Sequence, residues 1–591
     1  MTTIEARLES TRAIMQNEGI DALIVPRADE YLGEYVPVHN ERLAFLTGFT
    51  GSAGLFILTA DRAILFVDGR YTLQAENQCP TPLFEHQHLI NEPPLKWLSQ
   101  ILPRGALVAV DGRVIPYRFY EQASTAFGAA ELTLKALPSN PIDQIWEDRP
   151  KAPNNPALLL DLAYSGESSA GKRVRIGEAI QQQGADAALI HQLDSIAWLL
   201  NIRGDDVPHL PVLLAQAIIS QSGDLALYTD RRKIPEDFEA HVGAGVTVFD
   251  EADFSQGLDA LGKSQAKVLI DHDHTNAFSA LHCLKVGCVL VASKDPVELP
   301  KAQKNQVEVE GIRMAHLRDG AALTQYLHWM ESEVEAQRYH DEGFVSDRLE
   351  AFRRELPELK DLSFSTISAA GSNAAMAHYS HTNGEPAQLA PNTLYLVDSG
   401  GQYFDGTTDV TRTIAIDQPR TDHCEMFTRV LKGHIALARA QFPKGVQGHQ
   451  LDVLARQFLW EIGKDFDHGT GHGVGCYLSV HEGPQRIGKT PSPTAPLLPG
   501  MVVSNEPGYY EPNDYGIRCE NLMVVVDLES GMLGFETLTF APFDRNLIDL
   551  SLMSEAELNW LNDYHSEVFD KISPRLPSAL QPWLQSATAP L

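Results

Sequence analysis

The hydrophobic pattern over residues 1–140 predicts an α/β domain. Short apolar runs begin at Leu23, Gly54 and Ala63, and their length is typical of buried strands. Helical spacing of apolar positions fills neighbouring stretches, such as 3–17. Strands that alternate with helices indicate a sheet covered by helices.

A second block, predicted over 157–300, repeats the plan of the first. Three segments recur in the same order, and they pair Gly19-Ile-Asp-Ala-Leu-Ile with Gly184-Ala-Asp-Ala-Ala-Leu-Ile, Phe45-Leu-Thr-Gly-Phe-Thr-Gly with Trp198-Leu-Leu-Asn-Ile-Arg-Gly, and Leu65-Phe-Val-Asp-Gly-Arg with Leu227-Tyr-Thr-Asp-Arg-Arg. Three matches in one order indicate two copies of one α/β domain. The stretch 138–156 contains several Pro and Asn residues and is predicted to link the two copies.

The pattern changes after residue 300, and we predict a third domain over 301–591. A helical region precedes several strands, two further helices and a loop-rich segment that is dense in Gly, His and Glu. The predicted helical regions are 305–354, 422–441 and 447–464, and the predicted strands lie around 363–369, 393–398 and 410–416. The predicted fold class is therefore two similar α/β domains followed by an α+β domain.

Length, charge and cysteine content narrow the class of protein. The chain has 591 residues, which is too long for one hydrophobic core, and its 47 Lys+Arg against 78 Asp+Glu give a net charge of −31. Such a surface repels nucleic acid and anionic lipid. No apolar stretch approaches the roughly 18 residues that span a bilayer, and the N-terminus lacks the apolar core of a signal peptide. The six cysteines lack a disulfide spacing, so we expect a cytoplasmic enzyme.

Five residues between 398 and 520 stand out as candidates for chemistry. Asp398 ends an apolar run, and Asp409 lies at the head of the next predicted strand, so a hairpin can place the two carboxylates side by side. His472, Glu506 and Glu520 follow in segments rich in Gly and Pro.

Four carboxylates cannot share one pocket unless a cation neutralises them, because like charges a few Å apart drive some of them to protonate. A set of carboxylates with one imidazole and no thiolate suits hard or borderline divalent metals. Two ions roughly 3.5–4 Å apart would use all five side chains. By contrast, His423, His434 and His449 lie on or beside helical patterns and are interpreted as surface or packing residues.

The motifs around the five residues resemble those of creatinase-fold metallopeptidases. They are Asp398-Ser-Gly, Asp409-Val-Thr-Arg-Thr, His468-Gly-Thr-Gly-His472-Gly-Val-Gly, Asn505-Glu506-Pro-Gly-Tyr-Tyr and Gly516-Ile-Arg-Cys-Glu520-Asn. The likeness extends to Arg42-Leu-Ala-Phe-Leu-Thr-Gly-Phe, Ile196-Ala-Trp-Leu and Trp560-Leu-Asn-Asp-Tyr-His. It covers nearly the whole chain and is similar to the long, three-domain aminopeptidase P type.

The resemblance implies a C-terminal pita-bread catalytic domain and removal of the first residue from peptides with proline in second position. It makes Asp398, Asp409, His472, Glu506 and Glu520 the metal ligands, with Asp409 and Glu520 bridging two ions. Manganese is the ion implied first, with cobalt or zinc as alternatives, and a bridging hydroxide would attack the peptide carbonyl. A homodimer is also implied.

The resemblance places further residues at the substrate cleft. Glu506 is the implied general base, and His378, His468 and His481 are implied to be catalytic and to bind the substrate. Hydrogen-bond donors aimed at the developing oxyanion are each worth about 10²–10³ in rate. Arg518 is predicted to bind substrate, to share a sheet face with Glu520 and to pair with a metal-bridging carboxylate. Tyr509 and Tyr510 are weaker candidates for a proline pocket.

Three other functions stay open at this point. A prolidase, which cuts only Xaa-Pro dipeptides, would use the same metals. A pita-bread domain without metal ligands can serve as a peptide-binding module, and creatinase shares the fold without a metal. The intact set of five ligands argues against the last two functions.

Overall fold

The structure is a computed structural model that describes residues 3–491 and 495–591. It divides into two compact units, of which the first runs to Leu159 and resumes over 167–297, and the second comprises 160–166 and 298–591. The three predicted domain boundaries remain predictions. Within the described ranges, the helices are all too short or too polar to cross a bilayer.

The first unit contains two six-stranded sheets of the same topology. The first sheet has the order β4-β3-β2-β1-β5-β6 and the second has the order β12-β11-β10-β8-β13-β14. In each sheet the first strand along the chain pairs antiparallel on one side and parallel on the other. The prediction of two similar α/β domains is therefore confirmed.

The first sheet and its helices occupy the residues up to Leu137. The strands are β1 (Ala22–Pro26), β2 (Leu55–Thr59), β3 (Ala63–Val67), β4 (Glu85–His88), β5 (Leu107–Asp111) and β6 (Thr133–Leu137). The helices are α1 (Ile4–Glu18), α2 (Arg42–Thr47), α3 (Thr72–Gln78), α4 (Pro94–Ile101) and α5 (Tyr117–Ala129). The apolar runs recognised in the sequence form β1, β2 and β3, whose residues are almost all buried because helices cover the sheet.

The second sheet occupies residues up to Ala292. The strands are β7 (Leu158–Leu159), β8 (Ala187–Ile190), β9 (Ile202–Arg203), β10 (Gln216–Ser220), β11 (Leu225–Tyr228), β12 (Val246–Phe249), β13 (Lys267–Ile270) and β14 (Val289–Ala292). The helices are α6 (Leu162–Ser165), α7 (Ser169–Gln182), α8 (Leu193–Leu200), α9 (Phe238–Val242), α10 (Phe254–Lys263) and α11 (Ala277–Val286). Strands β7 and β9 form a separate pair, and α6 belongs to the second unit.

The second unit combines antiparallel sheets with long helices. Its sheets have the orders β15-β18-β19, β16-β17-β20, β22-β21-β23-β26-β27 and β24-β25. The strands are β15 (Leu359–Leu362), β16 (Ile367–Ala370), β17 (Thr393–Ser399), β18 (Gly401–Tyr403), β19 (Gly406–Thr407), β20 (Val410–Ile416), β21 (Gly471–Gly473), β22 (Glu482–Ile487), β23 (Val502–Asn505), β24 (Gly508–Glu511), β25 (Tyr515–Arg518), β26 (Asn521–Asp527) and β27 (Leu533–Thr537).

Seven helices of the second unit pack around these sheets. They are α12 (Glu298–Ala302), α13 (Gln306–Glu335), α14 (Glu342–Arg354), α15 (Thr421–Ala438), α16 (Asp452–Trp460), α17 (Glu555–Ile572) and α18 (Gln581–Ala587). Helix α13 begins at a capping box in which the Asn305 side chain accepts from the Glu308 backbone N–H while the Glu308 carboxylate accepts from the Asn305 N–H.

Three predicted elements of this unit differ in their bounds. The helical region 305–354 is two helices, α13 and α14, separated by a turn. The helix predicted over 447–464 is shorter, because only α16 has helical hydrogen bonds throughout. The strand predicted around 363–369 is split, since the chain leaves one sheet at Leu362 and enters another at Ile367.

Candidate metal centre

The first two candidate ligands lie at one end of an antiparallel strand pair. Strands β17 and β20 are in register with Asp398 opposite Thr411. Asp398 is therefore near the end of β17, and Asp409 lies immediately before β20. The chain between them forms β18 and β19, which belong to a different sheet. The hairpin predicted from the sequence exists, and its tip folds away so that both carboxylates remain buried.

His472 lies on a strand whose close packing requires glycine on both sides of the histidine. His472 is the middle residue of β21, which lies between β22 and β23. A Cβ atom on Gly471 would stand 2.0 Å from the carbonyl O of Ser504, and one on Gly473 would stand 2.1 Å from the carbonyl O of Glu482. The glycines around His472 therefore let three strands approach closely, which fixes the imidazole in the site.

Glu506 and Glu520 are brought together by the pairing of β23 with β26. These strands are in register with Asn505 opposite Asn521. Glu506 directly follows Asn505 and Glu520 directly precedes Asn521. Both residues therefore lie at the same end of this strand pair. The backbone N–H of Glu506 donates to the carbonyl O of Thr470 at 2.8 Å, which attaches this corner to the segment that carries His472.

The five candidates converge on one small volume. Ligand atoms of Asp409, His472 and Glu520 all lie within 4.8 Å of one another. His472 Nε2 is 3.4 Å from Asp409 Oδ2 and 3.5 Å from Glu506 Oε1. Asp398 faces the same group of charges, because Asp409 and Glu506 both act electrostatically on its carboxyl.

Burial and mutual repulsion raise the pKa of the carboxyl groups. Burial is the main cause that raises the pKa of Asp398 to about 7, and Asp409 adds to it while Arg518 opposes it. Burial likewise raises the pKa of Glu506 and, much further, that of Glu520, and the neighbouring carboxylates contribute in both cases. The carboxyl groups of this cluster are thus more numerous than the cationic side chains beside them can balance.

The imidazole of His472 has the tautomer that a metal ligand needs. Its Nδ1 lies 2.9 Å from the carbonyl O of Gly473, an acceptor, so Nδ1 carries a proton and Nε2 faces the carboxylates. Burial lowers the pKa of His472, but hydrogen bonding to Asp409 and the charges of Glu506 and Asp409 outweigh burial and raise the pKa to about 9. A proton on Nε2 thus occupies the position that a cation would take.

The donor set fits two divalent cations. Among the residues that the structure describes, Asp398 Oδ1 and Asp409 Oδ1 are buried oxygens without a hydrogen-bond partner. Buried acceptors without a donor are costly, and a cation satisfies them. Four carboxylates and one imidazole also match the preference of manganese, cobalt or zinc for oxygen and nitrogen ligands. The residues present therefore fit the ions that the sequence predicts.

Arg518 differs from its prediction in its hydrogen-bond partner. It ends β25, and Glu520 lies two residues further along, directly before β26; the charges of the two side chains act on each other, and their shared sheet face stays a prediction. Arg518 Nη2 donates to Asp398 Oδ2 at 2.5 Å, whereas the prediction paired it with a bridging carboxylate. Its remaining donors bind Tyr510 Oη at 2.7 Å and Thr411 Oγ1 at 3.1 Å. With every nitrogen engaged inside the protein, Arg518 orients Asp398; its direct contact with substrate remains a prediction.

The three predicted cleft histidines have different environments. His481 is exposed, and its ring meets that of His472 edge-on with 4.3 Å between centroids. His378 is exposed in the loop that follows β16. The ring of His468 is occupied on both sides, since Nδ1 donates to the carbonyl O of Gly469 at 2.7 Å and Nε2 accepts from Tyr510 Oη at 2.8 Å. Burial lowers the pKa of His468 to about 3, so this ring is neutral.

The two tyrosines have different environments, and one hydroxyl at the site is not among the predicted residues. Tyr510 reaches the site through its bonds to His468 and Arg518, whereas Tyr509 packs in the hydrophobic core of the second unit. Thr411 was not predicted, yet its Oγ1 donates to Glu520 Oε2 at 2.6 Å. The signal was its position in the motif that begins at Asp409, where Thr411 is the second residue of β20.

Models of protein families cover almost the entire chain. The model of metallopeptidase family M24 matches residues 310–527, and the model of the C-terminal region of peptidase M24 matches 531–591. Two models of the creatinase/prolidase N-terminal domain match 7–137 and 148–308. A protein of Tuber melanosporum named probable Xaa-Pro aminopeptidase P is 39% identical, with all of both chains covered. The chain belongs to metallopeptidase family M24.

Other relatives of this M24 chain agree in length and architecture. Aminopeptidase P2 of Arabidopsis thaliana is 38% identical over the whole of this chain and 89% of its own. The crystal structure of X-prolyl aminopeptidase from Caenorhabditis elegans, a cytosolic enzyme with a di-nuclear active site, is 34% identical, covers both chains completely and superposes with a TM-score of 0.94. The Xaa-Pro dipeptidase of Bacillus anthracis matches 64% of this chain with a TM-score of 0.52 at 23% identity, which shows a shared fold only.

Proposed function

We propose that this chain is a metal-dependent aminopeptidase that removes the first residue from peptides with proline in second position. The observation that carries the proposal is the convergence of four carboxylates and His472 in a chain whose full-length relatives are named aminopeptidase P. The prolidase alternative is weaker, because the dipeptidase of Bacillus anthracis matches only 64% of this chain.

The five clustered residues are the proposed ligands of two divalent ions. Asp398, Asp409, Glu506 and Glu520 would supply carboxylate oxygens to hold them, and His472 would supply its Nε2. Manganese is proposed as the native ion. When bound, the ions would supply Lewis-acid chemistry that activates water and the scissile carbonyl.

The side chains around the ions would orient the substrate and move the proton. Glu506 is the proposed general base: its carboxylate lies 3.5 Å from His472 Nε2 within the cluster, and it would accept the proton of the attacking water and deliver it to the proline nitrogen. His481 and His378 would donate hydrogen bonds to the developing oxyanion and the neighbouring carbonyl. His468 would act through Tyr510, since both of its ring nitrogens are engaged.

Hydrolysis of three synthetic peptides tests the proposal. Metal-stripped protein, with and without Mn²⁺, is incubated with Arg-Pro-Pro, Arg-Ala-Ala and Arg-Pro. We expect release of arginine from Arg-Pro-Pro alone, only when Mn²⁺ is present. Cleavage of Arg-Pro alone would establish a prolidase. If metal-loaded protein cleaves none of the three peptides, the result would favour a peptide-binding module over an enzyme.

We also propose a cytoplasmic homodimer. The related enzyme of Caenorhabditis elegans is cytosolic, and the six cysteines of this chain are all free thiols. Val453 and Trp460 lie two turns apart on α16 and are exposed by 43% and 46%, an apolar face that a second copy would cover. Light scattering of the purified protein is expected to give twice the chain mass, and Trp460→Glu is expected to give the monomer mass.

A further inference from the structure

A buried histidine of α15 lies directly behind two of the proposed ligands. His434 is 1% exposed and was interpreted from the sequence as a surface or packing residue. Its Nδ1 donates to the carbonyl O of Asn505 at 3.0 Å, and Asn505 Nδ2 donates back to the carbonyl O of His434 at 2.9 Å. On the other side of the ring, Nε2 accepts from Asn521 Nδ2 at 3.3 Å.

The two asparagines are the register partners at which β23 and β26 separate. Asn505 and Asn521 lie opposite each other, and the next residue outward on each strand is a proposed ligand, Glu506 or Glu520. His434 therefore bridges the two strands at their last paired position. Displacement of either asparagine would change the distance between the two carboxylates.

Arg412 extends the same network. It is fully buried, its Nη2 donates to Asn521 Oδ1 at 2.9 Å, and its Nη1 donates to the carbonyl O of Glu520 at 2.6 Å. Because Oδ1 of Asn521 accepts from the Arg412 guanidinium, the Nδ2 of Asn521 faces His434. The orientation of the asparagine amide, the histidine tautomer and the backbone of Glu520 are thus mutually determined.

We infer that His434 is a positioning residue that sets the separation of Glu506 and Glu520 for metal binding. This inference rests on the proposed function, because it takes both carboxylates as ligands. Residues that orient ligands from behind typically contribute 10- to 100-fold in metal affinity. Packing alone does not explain a histidine at position 434. The ring centroids of Phe543 and Trp560 lie 5.4 Å and 6.1 Å from that of His434, and a phenylalanine would keep both contacts.

The test compares two buried histidines on the same helix. His434→Phe keeps the aromatic volume and removes both hydrogen bonds to the asparagines. The control is His423→Phe, because His423 is also 1% exposed on α15 but contacts the backbone N–H of Arg420 and the ring of Tyr515. The dissociation constant of Mn²⁺ is measured by calorimetry, together with the Tm of the metal-free protein and kcat and KM for Arg-Pro-Pro.

We expect His434→Phe to raise the dissociation constant of Mn²⁺ about tenfold or more and to lower kcat more than it changes KM. His423→Phe is expected to leave the Mn²⁺ constant within about twofold of the parent value. Its Tm should fall less than that of His434→Phe, because the His423 ring loses one part-buried hydrogen bond and the His434 ring loses two buried ones. An unchanged Mn²⁺ constant in His434→Phe, or an equal rise in both variants, overturns the inference.

His434→Gln gives a second measurement if the phenylalanine variant does not fold. Its amide oxygen can still accept from Asn521, but the carbonyl O of Asn505 loses its donor. We expect a smaller loss of Mn²⁺ affinity than in His434→Phe, of about three- to tenfold, and an unchanged affinity overturns the inference. If the parent protein binds no Mn²⁺, the proposed function is wrong as well. If the parent and every variant bind Mn²⁺ equally well, the proposed function stands and only the inference about His434 is wrong.

Discussion

The candidate centre is a cluster of groups that are individually unfavourable in the metal-free protein. Asp398 and Asp409 each keep a buried oxygen without a donor among the described residues, and burial raises the pKa of Asp398, Glu506 and Glu520. Arg518 and the protonated His472 offset part of this negative charge locally. The residues are arranged for a ligand, and stability of the metal-free fold is reduced as a result.

Removal of one carboxylate is therefore expected to stabilise the metal-free protein. At pH 8, Glu520→Gln should raise the Tm of metal-free protein, because the parent carboxyl must either ionise among other carboxylates or keep a proton that it loses on unfolding. The neutral amide has neither cost, and its oxygen can still accept from Thr411 Oγ1. With Mn²⁺ present, the parent protein should gain stability and the variant should not. Thermal unfolding with and without Mn²⁺ measures both effects, and a lower Tm for the metal-free variant would contradict the prediction.

Metal binding is expected to release protons and to strengthen as pH rises. Asp398, with a pKa of about 7, and His472, with a pKa of about 9, hold protons at pH 7 that Mn²⁺ must displace. Both groups have a higher pKa in the folded state than in the unfolded state. They therefore favour folding at low pH, and this contribution is lost as pH rises from about 4 to 9.

Calorimetry in buffers of different ionisation enthalpy counts the protons. We expect proton release on Mn²⁺ binding at pH 7, little release at pH 9.5, and a falling Tm of metal-free protein between these pH values. Binding enthalpies that do not depend on the buffer would show that the ligands are already deprotonated.

The elements around the centre are also held by polar side chains that are not proposed ligands. Glu342, at the start of α14, is completely buried, and its carboxylate accepts four hydrogen bonds. Oε1 accepts from the backbone N–H of Ala370 at 2.7 Å and from Asn373 Nδ2 at 2.9 Å, and Oε2 accepts from Tyr379 Oη at 2.8 Å and from the backbone N–H of Ala387 at 2.9 Å. One carboxylate thus ties both ends of the loop that carries His378.

Glu342→Ala is expected to cost on the order of 3 kcal/mol of unfolding free energy, because it leaves buried donors without an acceptor. It should lower kcat/KM for Arg-Pro-Pro and leave the Mn²⁺ dissociation constant unchanged, since the loop holds His378 and none of the proposed ligands. Glu350→Ala on the same helix is the control; Glu350 pairs with Arg354 near the surface, and its loss should cost about 0.5 kcal/mol or less. Equal urea midpoints for the two variants would contradict the role of Glu342.

At the scale of the whole molecule, the two compact units have their own hydrophobic cores. Phe56 and Leu65 belong to a core of the first unit, and Phe427 and Ile517 belong to a core of the second. All five proposed ligands lie in the second unit. A ligand that binds only the folded form of one unit stabilises that unit.

Scanning calorimetry of the parent protein is therefore expected to show two transitions, of which Mn²⁺ raises one. The shifted transition should be that of the second unit, and Glu520→Gln should abolish the shift. A single transition that moves as a whole with Mn²⁺ would instead show that the two units unfold as one cooperative body.

Much of this protein was determined by sequence patterns of short range. The apolar runs at Leu23, Gly54 and Ala63 form strands, and the repeat of Gly19 at Gly184 corresponds to two sheets of one topology. These features are readable because strand burial and turn chemistry depend on neighbouring residues. The five candidate ligands also stood out, because a cluster of carboxylates beside glycines has few other physical uses.

Only the tertiary structure decided which side chains meet across the chain. Arg518 binds Asp398 because β25 lies next to β17, although Glu520 is much nearer in sequence. His434 and Glu342 sit in ordinary helical patterns, and their partners are 71 and 28 or more residues away. Helical periodicity shows that such a residue is buried but not which polar groups surround it, since that depends on how distant strands are paired and where they separate.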